Sequence, residues 1–391
     1  MTHSTINVVI GHETYPVHVL EGQEALSVPF YFKVDFLASL EVETLPQMLL
    51  TRAKLHFLQD NVMVREVIGV ISEIRVLGYY NDDQIYFQLK LQSKLALLEH
   101  SGGINHFPAI DLKNCAFQVV KKHGINEKNL VWISQNDREK TNYFQMDTEN
   151  DLEFVTRVLT EKSIYFYSVF KDEEELMCFC HDHFHEGYRS LNISKAPTLD
   201  NNAELNHIKV FHRLVHNRVL VRSHKPLVAN EIQQEEKERR KKKPFKKEYF
   251  GYEKIKSYAA IEENKEFYIK VFGNLMDLKL NDRVMLAADV CNNKYDGTYH
   301  VVSLKHVAKQ PTGIQGQGKP AYYHVEVKLL PDHCLFQKTK SLNGMLSLYA
   351  AKIVGEDKEK ADLNENGHYK IRYLFDRENK IVFNVPRLTT F

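Results

Sequence analysis

This sequence lacks most of the features by which chemistry or membrane insertion announces itself. It has 391 residues, of which five are cysteine and one, Trp132, is tryptophan. An odd number of cysteines scattered over a long chain gives no disulfide framework. No basic and then apolar stretch follows Met1, so no secretory signal is read. No apolar run approaches the roughly 18 to 20 residues that span a bilayer. These absences place the chain in a reducing cytoplasm. Charge of one sign is also missing: 52 basic and 51 acidic residues leave a formal net charge of +1. That excludes a global attraction to nucleic acid or to a membrane surface. There is no nucleophile elbow, P-loop, HExxH or dinucleotide glycine fingerprint. Gly313, Gly316 and Gly318 lie in a proline-bounded loop and do not open a helix, so they form no phosphate cradle.

Aromatic residues are abundant, with 22 phenylalanines and 20 tyrosines. They fall in short alternating runs, which favour strands. Strands are expected at Ile6 to Ile10, Tyr15 to Val19, Phe30 to Leu37, Leu55 to Leu58, Val62 to Leu77 and Gln84 to Leu98. Phe30, Phe32, Val34 and Phe36 alternate along a half-buried surface. Gly69 predicts a bulge or sharp bend. The stretch Gly78 to Asp83 reads as a hairpin connection. Leu112 to His123 reads as a helix with Cys115, Ala116, Val119 and Val120 on one face, and Gly124 as its C′ residue. Further strands are expected at His207 to Leu214, Val219 to Ser223, Glu266 to Phe272, Arg283 to Ala288, Gly297 to Val307 and Tyr322 to Leu329. Asn281-Asp282 marks a tight turn. The fold class is therefore mainly β with an α/β insert, in a chain long enough for two or three domains.

The densest signal runs from Tyr143 to Phe170. Asp147 and Thr148 are N-cap candidates, and Glu149, Asp151 and Glu153 suit the positive end of a helix. Leu152, Phe154, Val155, Val158 and Leu159 form an apolar stripe. From Ile164 to Phe170 the period becomes that of a buried strand. The wording Asp147-x3-Asp151-Leu152-x-Phe154-Val155-x-Arg157-x-Leu159-x3-Ser163-Ile164-x-Phe166 resembles the signature of VgrG proteins, the trimeric spikes of bacterial type VI secretion, related to phage tail hubs. Asp296-Gly297-Thr298-Tyr299-x-Val301-Val302-Ser303-x3-His306 is similar to a second family stretch. Gly367 to Arg377 resembles the opening strand of the family's OB-fold neck, with Phe375 at the family's tryptophan position.

The resemblance implies four parts: a first hub β-barrel (1–103), an α/β insertion (104–204), a second hub β-barrel (205–340) and the start of an OB-fold neck (341–391). The family's β-helix needle is not found in this sequence. The implied function is mechanical. A homotrimer caps the hexameric Hcp tube, adapts sixfold to threefold symmetry, and carries effectors outward when the sheath contracts. The implied partners are Hcp, a spike tip or needle protein, effectors, and sheath or baseplate components. The implied location is the bacterial cytoplasm, followed by export through the type VI machine. Neither an enzyme activity nor a cofactor is expected, and no catalytic, cofactor or metal residue is assigned.

Two stretches support other classes. Cys178, Cys180, His181, Asp182, His183 and His185 suit zinc, and Cys178 and Cys180 would share a strand face. A zinc-dependent hydrolase is the function this would carry. No second ligand pair accompanies them, so a strand end with a polar loop is the plainer reading. The run Glu235 to Lys247 is basic and could bind nucleic acid. Glu235, Glu236 and Glu238 offset it, and it reads as a solvated linker or the face of a short helix.

Overall fold

Alternating burial of Phe30, Phe32, Val34 and Phe36 is the seed of the first structural unit. In the computed structural model the described residues are 4–81, 83–134, 139–181, 189–193, 205–215, 218–224, 232–238, 246–250, 255–288, 294–310, 322–338, 351–355, 363, 368–373 and 383–386. The first strands are β1 (Ser4–Ile10), β2 (Glu13–Ala25), β3 (Val28–Ala38), β4 (Arg52–Gln59), β5 (Val62–Tyr79) and β6 (Ile85–Gln92), with one short turn of helix, α1 (Leu45–Met48), before β4. Their pairing runs β1-β4-β5-β6-β3-β2 and returns from β2 to β1. The six strands therefore close on themselves, which removes free edges. The alternating apolar residues point into that ring.

Gly69 does not mark a bulge. Its register with Ala53 is unbroken, and the shifts in β5 lie elsewhere, at Met63/Arg65, Ile71/Glu73 and Val76/Gly78. The glycine is needed for close approach instead: a Cβ there would lie 2.5 Å from the carbonyl oxygen of Gln92.

The insertion follows. It contains β7 (Asn105–Ile110), α2 (Leu112–Lys121), β8 (Leu130–Trp132), β9 (Thr141–Gln145), α3 (Asp151–Glu161), β10 (Tyr165–Lys171) and β11 (Glu174–Cys180). Helix α3 starts later than Asp147 and Thr148 suggest. Asn150 is the N-cap, and its side chain and Glu153 form a reciprocal capping box. Asp147 and Thr148 lie in the turn before it. Helix α2 is capped by Asp111 and ends at Lys122, so Gly124 sits one residue beyond C′, at φ +72°. Apolar faces of α2 and α3, with Phe166, Met177 and Phe179, enclose a separate small core.

The second large unit contains β12 (Arg189–Ile193), β13 (Leu205–His212), β14 (Arg218–His224), β15 (Ile232–Glu238), β16 (Lys246–Phe250), α4 (Ile255–Glu266), β17 (Phe267–Gly273), β18 (Arg283–Ala288), β19 (Gly297–Lys309) and β20 (Tyr322–Pro331). Its main pairing order is β13-β17-β20-β19-β18-β12, and the two outer strands approach each other. The basic run is not simply a linker: Glu235 to Glu238 belong to β15 and Lys246 and Lys247 to β16, both laddered to β14. Its residues 239–245 lie outside the described residues. Helix α4 has no counterpart in the sequence reading. Ala259, Ala260 and Ile261 are consecutive and all buried, so the segment shows no amphipathic period. Finally, β21 (Ala351–Ile353), β22 (His368–Tyr373) and β23 (Phe383–Pro386) form an antiparallel meander. Asn366, Gly367 and Phe375 to Arg377 lie outside the described residues.

The two large units are one continuous sheet. Residues 19–25 of β2 pair antiparallel with residues 303–309 of β19. One apolar core runs across this seam, from Phe32 and Phe57 to Val325 and Leu329.

Candidate functional site

The seam carries the most densely connected buried charge in the described structure. Glu24 comes from β2, Arg65 from β5, His306 from β19 and Tyr323 from β20. Register sets two of them: His306 pairs with Gly22, which leaves Glu24 two residues along on the same face. Arg65 Nη2 donates to both Glu24 carboxylate oxygens at 2.6 Å, and Nη1 donates to the Leu278 carbonyl at 2.9 Å. His306 Nε2 lies 2.9 Å from Glu24 Oε1, and Nδ1 lies 2.7 Å from the Tyr323 hydroxyl. An ionised Glu24 can only accept, so the proton sits on Nε2. The neutral ring then accepts at Nδ1 from Tyr323.

Aromatic rings close the cluster. The Phe32 ring is 5.3 Å from His306, and Phe57 lies 5.8 Å beneath the Arg65 guanidinium. Gly22 makes room for this: a Cβ would stand 2.1 Å from the Phe32 ring. Exposure of the four polar residues is 3% for Glu24, 5% for Arg65, 1% for His306 and 7% for Tyr323, although Glu24 and Arg65 also border the cleft described below. Burial alone would raise the Glu24 carboxyl. Arg65 and the His306 hydrogen bond outweigh it and hold the group at about 2. Burial pushes His306 down against the pull of Glu24. The cluster is thus one Glu⁻–Arg⁺ pair with a neutral histidine, an arrangement that fixes geometry and offers no reactive group to a substrate.

The insertion is seated beside this seam by the β10–β11 hairpin. Its alternate residues serve two cores: Tyr165, Tyr167, Cys178 and Cys180 face the barrel core, while Phe166, Met177 and Phe179 face the insertion's own core. Tyr165 donates to Asn281 Oδ1 at 3.1 Å, and Ser27 N–H donates to the Phe166 carbonyl at 2.7 Å. Asn281 holds the predicted tight turn at φ +66°. Glu175 is buried and accepts from Ser93 Oγ (2.5 Å), Ser168 Oγ (2.7 Å) and Lys94 N–H (3.0 Å). Burial raises its carboxyl despite these donors. Between hairpin and seam lies a cleft of about 350 Å³, lined by Val64, Arg65, Val169, Phe170 and Leu280 among others.

The signature residues of 147–166 lock the insertion internally. Arg157 binds both Glu149 oxygens, the Phe144 carbonyl and Glu161. Asp151 accepts from Gln145 and pairs with His123 at 2.8 Å. Ser163 takes φ +58° to turn the helix into β10.

Cys178 and Cys180 do share a strand face, but the face is core. Burial pushes the Cys178 thiol up to about 11. Asp182, His183 and His185 lie outside the described residues, as does the loop 313–318. Among the described residues there is no group of three metal-ligating side chains, and no helix is long and apolar enough to cross a membrane. Glu24 and Arg65 were invisible as a site in the sequence. They are 41 residues apart, and each is an ordinary charged residue in a strand. Only His306 carried a signal, as the last residue of the 296–306 motif.

Comparison with known proteins agrees with this architecture. The family described as phage tail baseplate hub (GPD) matches residues 23–312. None of the curated proteins matches the chain in sequence. Among solved structures, the E. coli c3393 protein superposes with a TM-score of 0.68 at 16% identity, over 95% of this chain and 90% of that one. It is described as a component of the type VI secretion system with structural similarity to the T4 tail proteins gp27 and gp5. A tail protein of Neisseria meningitidis MC58 gives 0.62 at 9% identity, over 85% and 98%. The Francisella PdpA–VgrG complex gives 0.63 at 11% identity, over 100% and 73%. The match over residues 23–312 places the chain in the phage tail baseplate hub family, with a VgrG-like hub fold.

Proposed function

We propose that this chain is the hub of a contractile injection machine of the type VI kind. Three copies form a ring, cap the hexameric Hcp tube, and pass sixfold symmetry to a threefold spike. Among the described residues the main sheet of each chain divides into two sets of six strands, β1–β6 and β12, β13, β17–β20, so a trimer presents six such sets. That doubling, with the two units fused through β2 and β19, is the observation that carries the reading. The four-part division 1–103, 104–204, 205–340 and 341–391 belongs to it, with β12 lent by the insertion to the second unit.

In this reading the protein does no chemistry. Work comes from sheath contraction, and the hub transmits load through laddered strands and a sealed seam. Effectors, a spike tip and baseplate components are its other partners. It assembles in the bacterial cytoplasm and leaves through the machine itself. Support comes from the family, a structural tail hub, and from neighbours that are tail and secretion components. The test is removal of the gene from its host. Release of the tube protein into the medium should stop, and return with the gene. Release at the wild-type level without it would sink the reading.

A further inference from the structure

Three lysines stand in direct register across three adjacent strands of the second unit. Lys209 on β13 pairs with Lys270 on β17, and Lys270 pairs with Lys328 on β20. Like charges directly opposite one another destabilise a sheet. Arg213, just past β13, adds a fourth cation to the same end. The acidic partner that the described residues place against the row is Glu326, 2.5 Å from Lys270. Burial, and then the charges of Lys270 and Arg213, push the Lys328 ammonium down. Among the described residues no carboxylate is placed against Lys209 or Lys328, a cost that a bare sheet face need not carry.

The cations are held in place by aromatic rings. Lys328 Nζ lies 4.5 Å from the Tyr268 ring centre and Arg213 Cζ lies 5.4 Å from it. Lys209 Nζ is 4.8 Å from Phe272, and Lys270 Nζ is 5.7 Å from Phe211. Phe211 and Tyr268 stack on each other at 4.6 Å. Such contacts restrict long side chains and prepay part of their ordering. They also decide the class of ligand. The ring faces are occupied by each other and by cations, so they offer no platform for stacking bases. What remains open is a line of positive heads, with Lys209 and Arg213 exposed. Neighbouring strands are about 4.8 Å apart, so the heads match closely spaced carboxylates.

We propose that the β13–β17–β20 face is a docking surface for an acidic segment of a partner protein, with Lys209, Lys270, Lys328 and Arg213 as its cationic row. This does not depend on the hub reading. The partner's carboxylates neutralise the row on binding. Two consequences follow. Removing a lysine should weaken docking, and it should leave the free protein as stable or more so, because repulsion is relieved.

The test uses the whole chain and a labelled deca-glutamate peptide as probe, read by fluorescence anisotropy at low salt. Lys209→Gln and Lys328→Met should each weaken peptide binding by about threefold to fivefold. Thermal midpoints of both variants should equal or exceed that of the wild type. The methionine keeps the stem over Tyr268, so Lys328→Met guards against a packing artefact. Peptide binding that is absent, or equal in wild type and both variants, overturns the proposal. So does a ten-residue oligothymidine that binds as tightly as the peptide with the same dependence on Lys209, because the face would then be a nucleic-acid site.

Discussion

Glu24 and Glu175 are both fully buried carboxylates in neighbouring parts of the molecule, and they are handled in opposite ways. Glu24, at the seam, has a guanidinium against both oxygens, and its carboxyl is held at about 2. Glu175, at the seat of the insertion, has two hydroxyls and one amide, and its carboxyl is raised. Hydrogen bonds from neutral donors satisfy the lone pairs but return too little to offset desolvation of the charge. A full counter-charge does return enough. The seam is held by a charge pair, whereas the insertion is attached by a carboxyl that can accept a proton and keep its hydroxyl and amide partners.

The largest effect should come from removing the counter-charge. Arg65→Met leaves Glu24 buried without its counter-charge, and should cost about 3–5 kcal/mol in urea unfolding at neutral pH. Adding Glu24→Leu should recover most of that loss. A double variant no better than the single one would mean that Arg65 acts through packing alone.

Next comes the space over the seam. Gly22→Ala drives a Cβ into the Phe32 ring, and overpacking of this kind costs about 1–3 kcal/mol. If the variant matches the wild type, the ring is freer to move than its place beside His306 requires.

Glu175→Gln should change stability at pH 7 by less than about 1 kcal/mol, because the amide keeps an acceptor and sheds the buried charge. Glu24→Gln should cost clearly more. Equal costs for the two substitutions would erase the contrast between the sites.

The smallest effects are in pH dependence, and their signs differ. Glu24 is depressed in the folded state, so its contribution is full above its unfolded value of 4.5 and is lost as pH falls from there toward 2. His306 is also depressed, so protonation of the unfolded chain takes stability away as pH falls below 6.5. Glu175 is raised, so its contribution grows as pH falls through its folded value toward 4.5. In urea midpoints measured across pH, Glu175→Gln should remove only this last component. An unchanged profile would show that the Glu175 carboxyl is not raised in the folded state.

Strands were legible in the sequence wherever one face is buried and the other is not. Phe30 to Phe36 and Tyr322 to Leu329 are examples. The α3–β10 signature was legible because helix stripe, left-handed turn and buried strand follow without interruption. Helix α4 was not legible, since it is buried on several sides and shows no period. The seam was not legible either. Which strands meet depends on contacts such as that of Glu24 with His306, 282 residues apart, and local patterns carry no record of that. Cys178 and Cys180 looked like ligands for the same reason: their face was readable, but its destination inside the barrel core was not.

The central claim is that the chain works as a hub built from copies of itself. Light scattering of the purified chain at micromolar concentration tests it most directly. The account predicts a particle of three times the 45.7 kDa protomer, and a well-folded monomer under those conditions would contradict it.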